Sequence, residues 1–291
     1  MQCPLCQNLS VELATAGSLE SLISDDYNPA VHKCRFCQSQ FLYPIAPEGW
    51  LTNYFSKAEA RTDSQKKQLE DPMSESLYKE IAVARACWIK KRIGKDISSV
   101  YDIGCGPGWL VAAFQDMGYR TVGIDPNPIF CKFAREKLNV KVIEETLEKV
   151  DVNELNGKAD LVTLVHLVHM AENIEQILLA ALKKLKRRGY IFLEIPNEVY
   201  YWRTVKQKIL HGRETLPYYR LCKTIYPTKK GITQLMNHIG IRPLYTGTFF
   251  PPVINTVIKG MPVFSNYQTL LDYFWSIFGF GKVIVMLGQK R

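Results

Sequence analysis

Residues 100–108 read Val-Tyr-Asp-Ile-Gly-Cys-Gly-Pro-Gly, and Asp125 follows within Val-Gly-Ile-Asp-Pro. No other stretch narrows the choice of fold as far. Val100–Ile103 has the composition of a short buried strand. The three glycines after it let the backbone turn sharply, with no Cβ in the way of a ligand. Trp109, Leu110, Val111, Ala112, Ala113 and Phe114 then open a helix whose N-terminus can receive a carboxylate. A second strand, Thr121–Ile124, ends in an acid able to accept both hydroxyls of a ribose.

The glycine spacing separates two cofactors. A dinucleotide fingerprint places its third small residue three positions after the second glycine. Trp109 stands there, and the third glycine falls at 108. The G-x-G-x-G spacing, with Asp102 two residues ahead of it, resembles the nucleotide loop of class I S-adenosylmethionine-dependent methyltransferases. That resemblance implies S-adenosyl-L-methionine rather than a nicotinamide.

The surrounding chain alternates in kind. Strands are expected at 100–104, 120–125, 140–144, 161–167 and 190–195, and helices at 75–95, 108–117, 127–138 and 173–187, with a loop and short helix after 144. Leu77, Ile81, Ala84 and Trp88 mark the sheet-facing side of the first helix. This order predicts an α/β fold: a Rossmann-like class I methyltransferase sheet, its strands parallel, with right-handed crossovers and helices on both faces. Ligands of such sheets sit beyond the carboxyl ends of the strands, so Gly104, Asp125, Thr146, His166 and Asn197 should share one rim. Residues 198–230 break the rhythm with Tyr200, Tyr201, Trp202, Tyr218 and Tyr219 among many cations. Thr228 should cap a helix at 229–239 that Gly240 ends. Strands at 241–248 and 283–287 follow, separated by an aromatic insertion or flap at 249–281. The run Lys183–Arg188 reads as a solvated helix end.

Four of the eight cysteines form two knuckles, Cys3-Pro-Leu-Cys6 and Cys34-Arg-Phe-Cys37. Each can put two thiolates on one ion, and together they complete a tetrahedral Cys₄ site for Zn²⁺. Gly17, Asp25, Asp26, Asn28 and Pro29 read as hairpin turns between them. A module this short has little core of its own, so a metal staple is physically reasonable. Cys87, Cys105, Cys131 and Cys222 are unpaired in the sequence. The organisation expected is a zinc ribbon at 1–55, a polar linker at 56–76 and a methyltransferase domain at 77–291. The N-terminus has no basic start or apolar core of a secretion signal, so a cytoplasmic location is expected, where thiols stay reduced. The longest apolar stretch, Phe274–Gly288, is broken by Lys282 and falls short of the ~20 residues that span a bilayer.

Taken together, the chain resembles methyltransferases that carry an N-terminal zinc-binding domain, a group including C-methyltransferases of nucleotide-linked deoxysugars and members from surface-polysaccharide clusters. The likeness runs from Cys3 to about Gly240. It rests on the knuckles with Phe41 and Pro44, on Asp102-x-Gly104-x-Gly106-x-Gly108, on Gly123-Ile-Asp125 and on Glu194-Ile-Pro-Asn197. It implies that Gly104, Cys105, Gly106 and Gly108 meet the methionine half of the cofactor, that Asp125 takes the ribose diol, and that Thr146 and Leu147 border the adenine. Two differences stand out. Where the family often has His-x-x-Glu-His, this chain reads His166-Leu-Val-His169-Met170. The sequence also ends before the long C-terminal domain of the sugar enzymes.

Methyl transfer from a sulfonium is an in-line displacement, for which the protein mainly holds nucleophile and methyl in line. A hydroxyl, amine or carbon acid acceptor also needs its proton removed, and histidine suits that near neutral pH. His166 and His169 are therefore the candidate bases, with Tyr200 and Tyr201 as substrate contacts and Glu194 as a structural acid. The net charge of +9 suits an anionic partner. The expected acceptor is a small or glycan-linked metabolite such as a nucleotide sugar. Nucleic acid is the rival partner, as in an rRNA methyltransferase, but no Asn-Pro-Pro-Tyr-type motif follows the fourth strand. A non-catalytic binding module is the alternative of a different class. The aromatic run from Tyr273 to Phe280 offers a face that could rest on a membrane.

Overall fold

The computed structural model describes residues 1–14, 27, 29–47, 49, 69, 71–147, 149–150, 155–211, 223–249, 257–258, 261–262 and 267–291. Its centre is a seven-stranded sheet in which the chain doubles back on itself. The strands are β4 (Ser99–Ile103), β5 (Arg120–Ile124), β6 (Val142–Ile143), β7 (Ala159–Val165), β8 (Leu185–Pro196), β10 (Ile241–Phe249) and β13 (Val283–Lys290). Their order across the sheet is β10-β13-β8-β7-β4-β5-β6. The pairings among β4 to β8 are parallel. The parallel arrangement expected for these five strands is thus present, and β13, whose direction the sequence left open, inserts antiparallel between β8 and β10. β13 pairs directly with β10, the preceding strand of this sheet, and the connection between them, which includes α7 (Tyr267–Ile277), returns to the same edge without crossing the sheet, so β13 enters in the opposite sense.

Alternation along the strands explains the layers. Tyr190 and Phe192 of β8 and Val283, Val285 and Leu287 of β13 join one apolar cluster. Ile191, Leu193 and Ile195, with Ile284 and Met286, join the other. Both faces of the sheet are therefore apolar and both are covered. The first cluster is closed by α1 (Pro72–Ile93) and α2 (Trp109–Asp116), and the second by α4 (Ile174–Lys184) and α6 (Lys229–His238). α3 (Pro128–Leu138) packs beside β6 around Cys131, Ala134 and Val142. Helices therefore lie on both faces.

Several local expectations are corrected. α1 begins at Pro72, inside the span read as a linker, and residues 56–68 lie outside the described residues. Its buried stripe is Ala82, Ala86, Ile89 and Ile93, one step round from the stripe expected, and Leu77 is exposed. α4 ends at Lys184 and β8 starts at Leu185 with no loop between. The basic run is a solvated helix end only in part: Lys183 is exposed in the last turn of α4, but Lys184 is buried, and Lys186 Nζ, already in β8, pairs with Asp160 Oδ1 at 2.7 Å. Of the span 249–281, α7 (Tyr267–Ile277) and the short pair β11 (Val257–Ile258) and β12 (Met261–Pro262) are described. Cys222, Tyr218, Tyr219 and most of the expected turns at 17–28 lie outside the described residues.

A second, antiparallel sheet carries both cysteine knuckles. It runs β1 (Val11–Leu13), β2 (Ala30–Cys34), β3 (Gln40–Tyr43), β9 (Ile225–Tyr226). Its fourth strand comes from the far end of the chain. Leu5, Cys37 and Phe41 share one apolar cluster with Ile225, Ile232 and Leu235, so the small module is packed onto the main sheet through a continuous core.

Candidate active site

Gly104, Asp125, Thr146, His166 and Asn197 follow β4, β5, β6, β7 and β8 respectively, which places them along one carboxyl edge. The half of that edge over β4 to β6 is built mainly of backbone. Gly104, Gly106 and Gly108 all have positive φ, at 68°, 53° and 85°. A Cβ on Gly104 would reach Leu167 at 3.0 Å, and one on Gly108 would reach Ala134 at 3.0 Å. At Gly106 the nearest atom would be Phe130 Cδ2 at 4.0 Å, so this glycine faces open space beyond the sheet. Gly108 caps α2 without a side-chain hydrogen bond, and the first turn of α2 holds no acid. That leaves a helix N-terminus free to face an anion.

Asp125 is buried, and both of its carboxylate oxygens are engaged. Oδ2 accepts from the Gly106 N–H at 2.8 Å, and Oδ1 accepts from the Asn127 N–H at 2.9 Å. It therefore ties the glycine loop to the end of β5, while Asn127 caps α3 through Ile129 and Phe130. Burial raises its pKa, against the pull of those two amides. Asp102 lies beneath the loop and accepts from Thr163 Oγ1 at 2.6 Å. Burial pushes it up to about 7, with the Thr163 bond and Arg85 working the other way. Cys105 is buried with its sulfur over Gly123, where an added Cβ would come within 2.7 Å of Sγ. Thr146 is half-buried at the loop after β6, and Leu147 is turned into the core.

The half over β7 and β8 is made of side chains. Glu194, 2% exposed in its side chain, receives two hydrogen bonds from Arg85, Nε to Oε2 at 2.7 Å and Nη2 to Oε1 at 2.6 Å. His166 Nε2 approaches Oε1 at 3.2 Å. Burial alone would raise the Glu194 pKa, but Arg85 and His166 hold it down at about 2. Glu194 is thus a fixed anion, and a neutral His166 in contact with it carries its proton on Nε2, leaving the Nδ1 lone pair unused. The His166 side chain is 45% exposed. Its φ of 54° lies in the left-handed region, a cost of about 1–3 kcal/mol of the kind that gathers at functional sites.

His169 sits behind His166, the rings 6.4 Å apart and edge to face. It is buried, its Nδ1 has no hydrogen-bond partner, and burial with the nearby His166 and Lys223 holds it neutral, well below the usual histidine range. Its carbonyl accepts from the Thr224 N–H at 3.0 Å, just before β9. Lys223 is ion-paired with Glu198. Tyr200 is partly exposed on the turn after β8; burial and then the proximity of Cys37 raise its pKa. Asn197 bonds to the Gly281 and Lys282 carbonyls and locks the end of β8. Arg85 is the site residue that sequence reading passed over. Its signal was a cation on the same helical stripe as Ala82 and Ile89.

The sulfur atoms of Cys3, Cys6, Cys34 and Cys37 lie within 4.8 Å of one another. The two knuckles fold alike: Gln7 and Gln38 have φ of 59° and 62°, and their N–H groups bond to the carbonyls of Cys3 and Cys34. The Cys37 N–H points at Cys34 Sγ at 3.5 Å. Four converging sulfurs with this backbone fit a zinc-type ion.

Residues 66–245 match a family described as "Methyltransferase domain". The chain belongs to that family. It is an S-adenosylmethionine-dependent methyltransferase of the class I, Rossmann-like fold, with a small N-terminal cysteine cluster suited to a metal. Among solved structures it is similar to a methyltransferase of Thermotoga maritima, a possible histamine N-methyltransferase, with 18% identity over 74% of this chain and 92% of that one and a TM-score of 0.50. It is also similar to the plantazolicin methyltransferase solved with S-adenosylhomocysteine and a desmethyl analogue, with 16% identity over 83% and 95% and a TM-score of 0.54. At these identities the likeness is one of fold. Ribosomal protein L11 methyltransferases of two Clostridium botulinum strains are 34% identical over 68 residues, which is 22% of this methyltransferase and 22% of theirs. No described helix is long and apolar enough to cross a membrane.

Proposed function

We propose that this methyltransferase moves the sulfonium methyl of S-adenosylmethionine to a small or carrier-linked metabolite of the nucleotide-sugar or glycan-precursor class, with His166 as general base. The observation that carries the reading is the chain Arg85–Glu194–His166. A buried carboxylate fixed by an arginine selects one histidine tautomer and leaves the other nitrogen of this part-exposed ring to take an acceptor proton. His169, buried and neutral, supports His166 from behind rather than meeting the acceptor. Tyr200, exposed on the turn after β8, would touch the substrate.

On the cofactor side, the open face of Gly106 and the uncapped start of α2 suit the methionine half. Asp125 would receive the ribose diol through lone pairs its two amide contacts leave free. Thr146 would border the adenine, with Leu147 supporting that loop from the core, and Asp102 and Cys105 would hold the glycine turn from below. The bound cofactor supplies the activated methyl; the residues named here orient it and accept the proton. Cys3, Cys6, Cys34 and Cys37 would hold one Zn²⁺ with a structural role. The excess of positive charge supports a phosphate-bearing carrier.

The test is transfer of labelled methyl to nucleotide sugars, lipid-linked glycans and small phenols, with ribosomal RNA as the competing arm. Label entering a sugar-class acceptor supports the reading. Label entering RNA alone overturns it in favour of a nucleic-acid methyltransferase.

A further inference from the structure

α5 (Trp202–His211) starts beside the catalytic edge, where the Trp202 N–H bonds to the Phe280 carbonyl at 3.2 Å. α5 and α7 are thereby held side by side just past the end of β8. Trp202 and Trp275 stack with centroids 6.3 Å apart and planes 17° apart, and Phe280 meets Trp275 edge-on. Between the helices lies a groove of about 290 Å³ lined by Trp202, Val205, Ile209, Leu210, Trp275 and Phe280, with Lys206 its one charged wall residue among those described. The apolar surface continues outside the groove: Ile209 is 77% exposed, Leu210 64%, Ile277 66%, Phe278 60% and Phe274 49%. Scattered exposed apolar residues need no explanation, but a contiguous set on two adjoining helices does.

The charge beside this surface is mostly basic, with Asp272 the one acid in the sequence of α7. The sequence of α5 holds Arg203, Lys206 and Lys208 and no acid. Lys229 Nζ lies 3.0 Å from where a Cβ on Gly279 would stand, next to Phe278, and Lys282 is exposed. Apolar side chains with tryptophans, bordered by cations, match the boundary between acyl chains and anionic headgroups. A second copy of the chain fits less well. A two-fold contact through this face would set its cations against themselves.

We propose that the α5–α7 face rests on an anionic lipid surface and holds the carboxyl edge of β8 beside the headgroup layer. The inference does not depend on which acceptor is methylated, because lipid binding is scored without turnover.

The experiment is flotation of the full chain with vesicles of phosphatidylcholine alone or with a third of phosphatidylglycerol. The protein should float with the anionic vesicles, weakly or not at all with the neutral ones, and less at high salt. Ile209→Ser with Phe278→Ser, and separately Lys206→Glu with Lys229→Glu, should each reduce partitioning at least tenfold. S-adenosylhomocysteine should still raise their melting temperature as it does that of the parent, which shows that the variants fold. No binding to anionic vesicles, equal binding to both kinds, or undiminished binding by the Ile209/Phe278 variant would overturn the proposal. So would sedimentation showing that the parent is a dimer that this variant dissociates. Loss of the thermal shift in the parent would instead count against the cofactor reading and leave the lipid result standing.

Discussion

The two halves of the catalytic edge are built on different principles. Over β4 to β6 the site is mostly main chain. Glycines at positive φ, a helix start and one carboxylate are joined by contacts as short in sequence as Asp125 to Asn127 and Gly106 to Asp125. Over β7 and β8 it is made of side chains that meet from far apart. Arg85 and Glu194 are separated by 109 residues. The first half needs a local sequence pattern, so any chain using this cofactor can share it. The second half needs the whole fold, and it is there that an acceptor can be chosen. On the proposed assignment, cofactor class is a local property of this protein, and acceptor chemistry a tertiary one.

The sharpest test of that division is His166→Gln. It should leave S-adenosylhomocysteine affinity unchanged and cut turnover by ~10²–10⁴-fold, the usual worth of a general base. Comparing calorimetric affinity with single-turnover rates separates the two effects. Equal losses in affinity and rate would show that the halves are not independent.

Next in size is Arg85→Met. Glu194 would then be a buried carboxylate without its partner, which typically costs about 3–5 kcal/mol. The sign with pH is fixed by the depressed pKa. Glu194 titrates at about 2 in the fold against an ordinary 4.5, so its pairing stabilises above the ordinary value and is lost as pH falls toward 2. Urea melts at pH 7 should show the deficit in Arg85→Met, and the gap to the parent should narrow on acidification. Adding Glu194→Gln should recover part of it. A variant as stable as the parent at pH 7 would remove the ion pair from the account of the site.

Asp125→Ala addresses the other half. Two amide contacts and the proposed ribose contact disappear together, and S-adenosylhomocysteine should bind more weakly by about 1–3 kcal/mol, the cost of leaving buried hydrogen-bonding groups unpaired. Turnover at saturating cofactor should change less than in His166→Gln. Unchanged affinity by calorimetry would take Asp125 out of the cofactor site.

How much of this was readable follows the same division. The strand and helix positions of the core came from apolar runs and from glycines whose purpose is local, whereas the order of the strands across the sheet did not. Gly106 could be assigned to a ligand-facing turn because only its immediate neighbours decide that. The strand β13 was placed in sequence but not in direction, because its apolar pattern is the same whichever way it runs. The boundary at Lys184–Leu185 was missed because six basic-rich residues favour a helix end, and only the fold shows that Lys186 finds Asp160 and that Leu185 pairs with Ala159 in the sheet. Arg85 was invisible for a related reason. A cation on a helix has a solvated face as its default, and only the fold shows that Glu194 lies opposite. The cysteine knuckles were legible as metal ligands, but nothing in their spacing shows that their sheet borrows β9.

That borrowed strand gives the smallest of the expected effects. Thr228 Oγ1 donates to the Cys37 carbonyl at 2.6 Å and accepts from the Gly231 N–H at 3.1 Å, and its own N–H bonds to Ser39 Oγ at 3.0 Å. One hydroxyl therefore caps α6 and anchors the second knuckle. Gly231 has to be a glycine here, since a Cβ would fall 2.3 Å from Ser39 Oγ. Upstream of Thr228 and β9, Thr224 holds the carbonyl of His169, so a disturbance at the knuckle has a short hydrogen-bonded path to the acceptor half. Thr228→Val should lower stability by about 1 kcal/mol, the usual worth of a cap. Thr228→Ser should restore it. The Val variant should also lose zinc faster to a chelator, with one zinc per chain in the parent by elemental analysis, and shift the His169 ring signals while S-adenosylhomocysteine affinity stays fixed. Faster zinc loss with undisturbed His169 signals would confine the knuckle to its own module. An accompanying loss of cofactor affinity would mean that the two halves of the edge are coupled through the core rather than built apart.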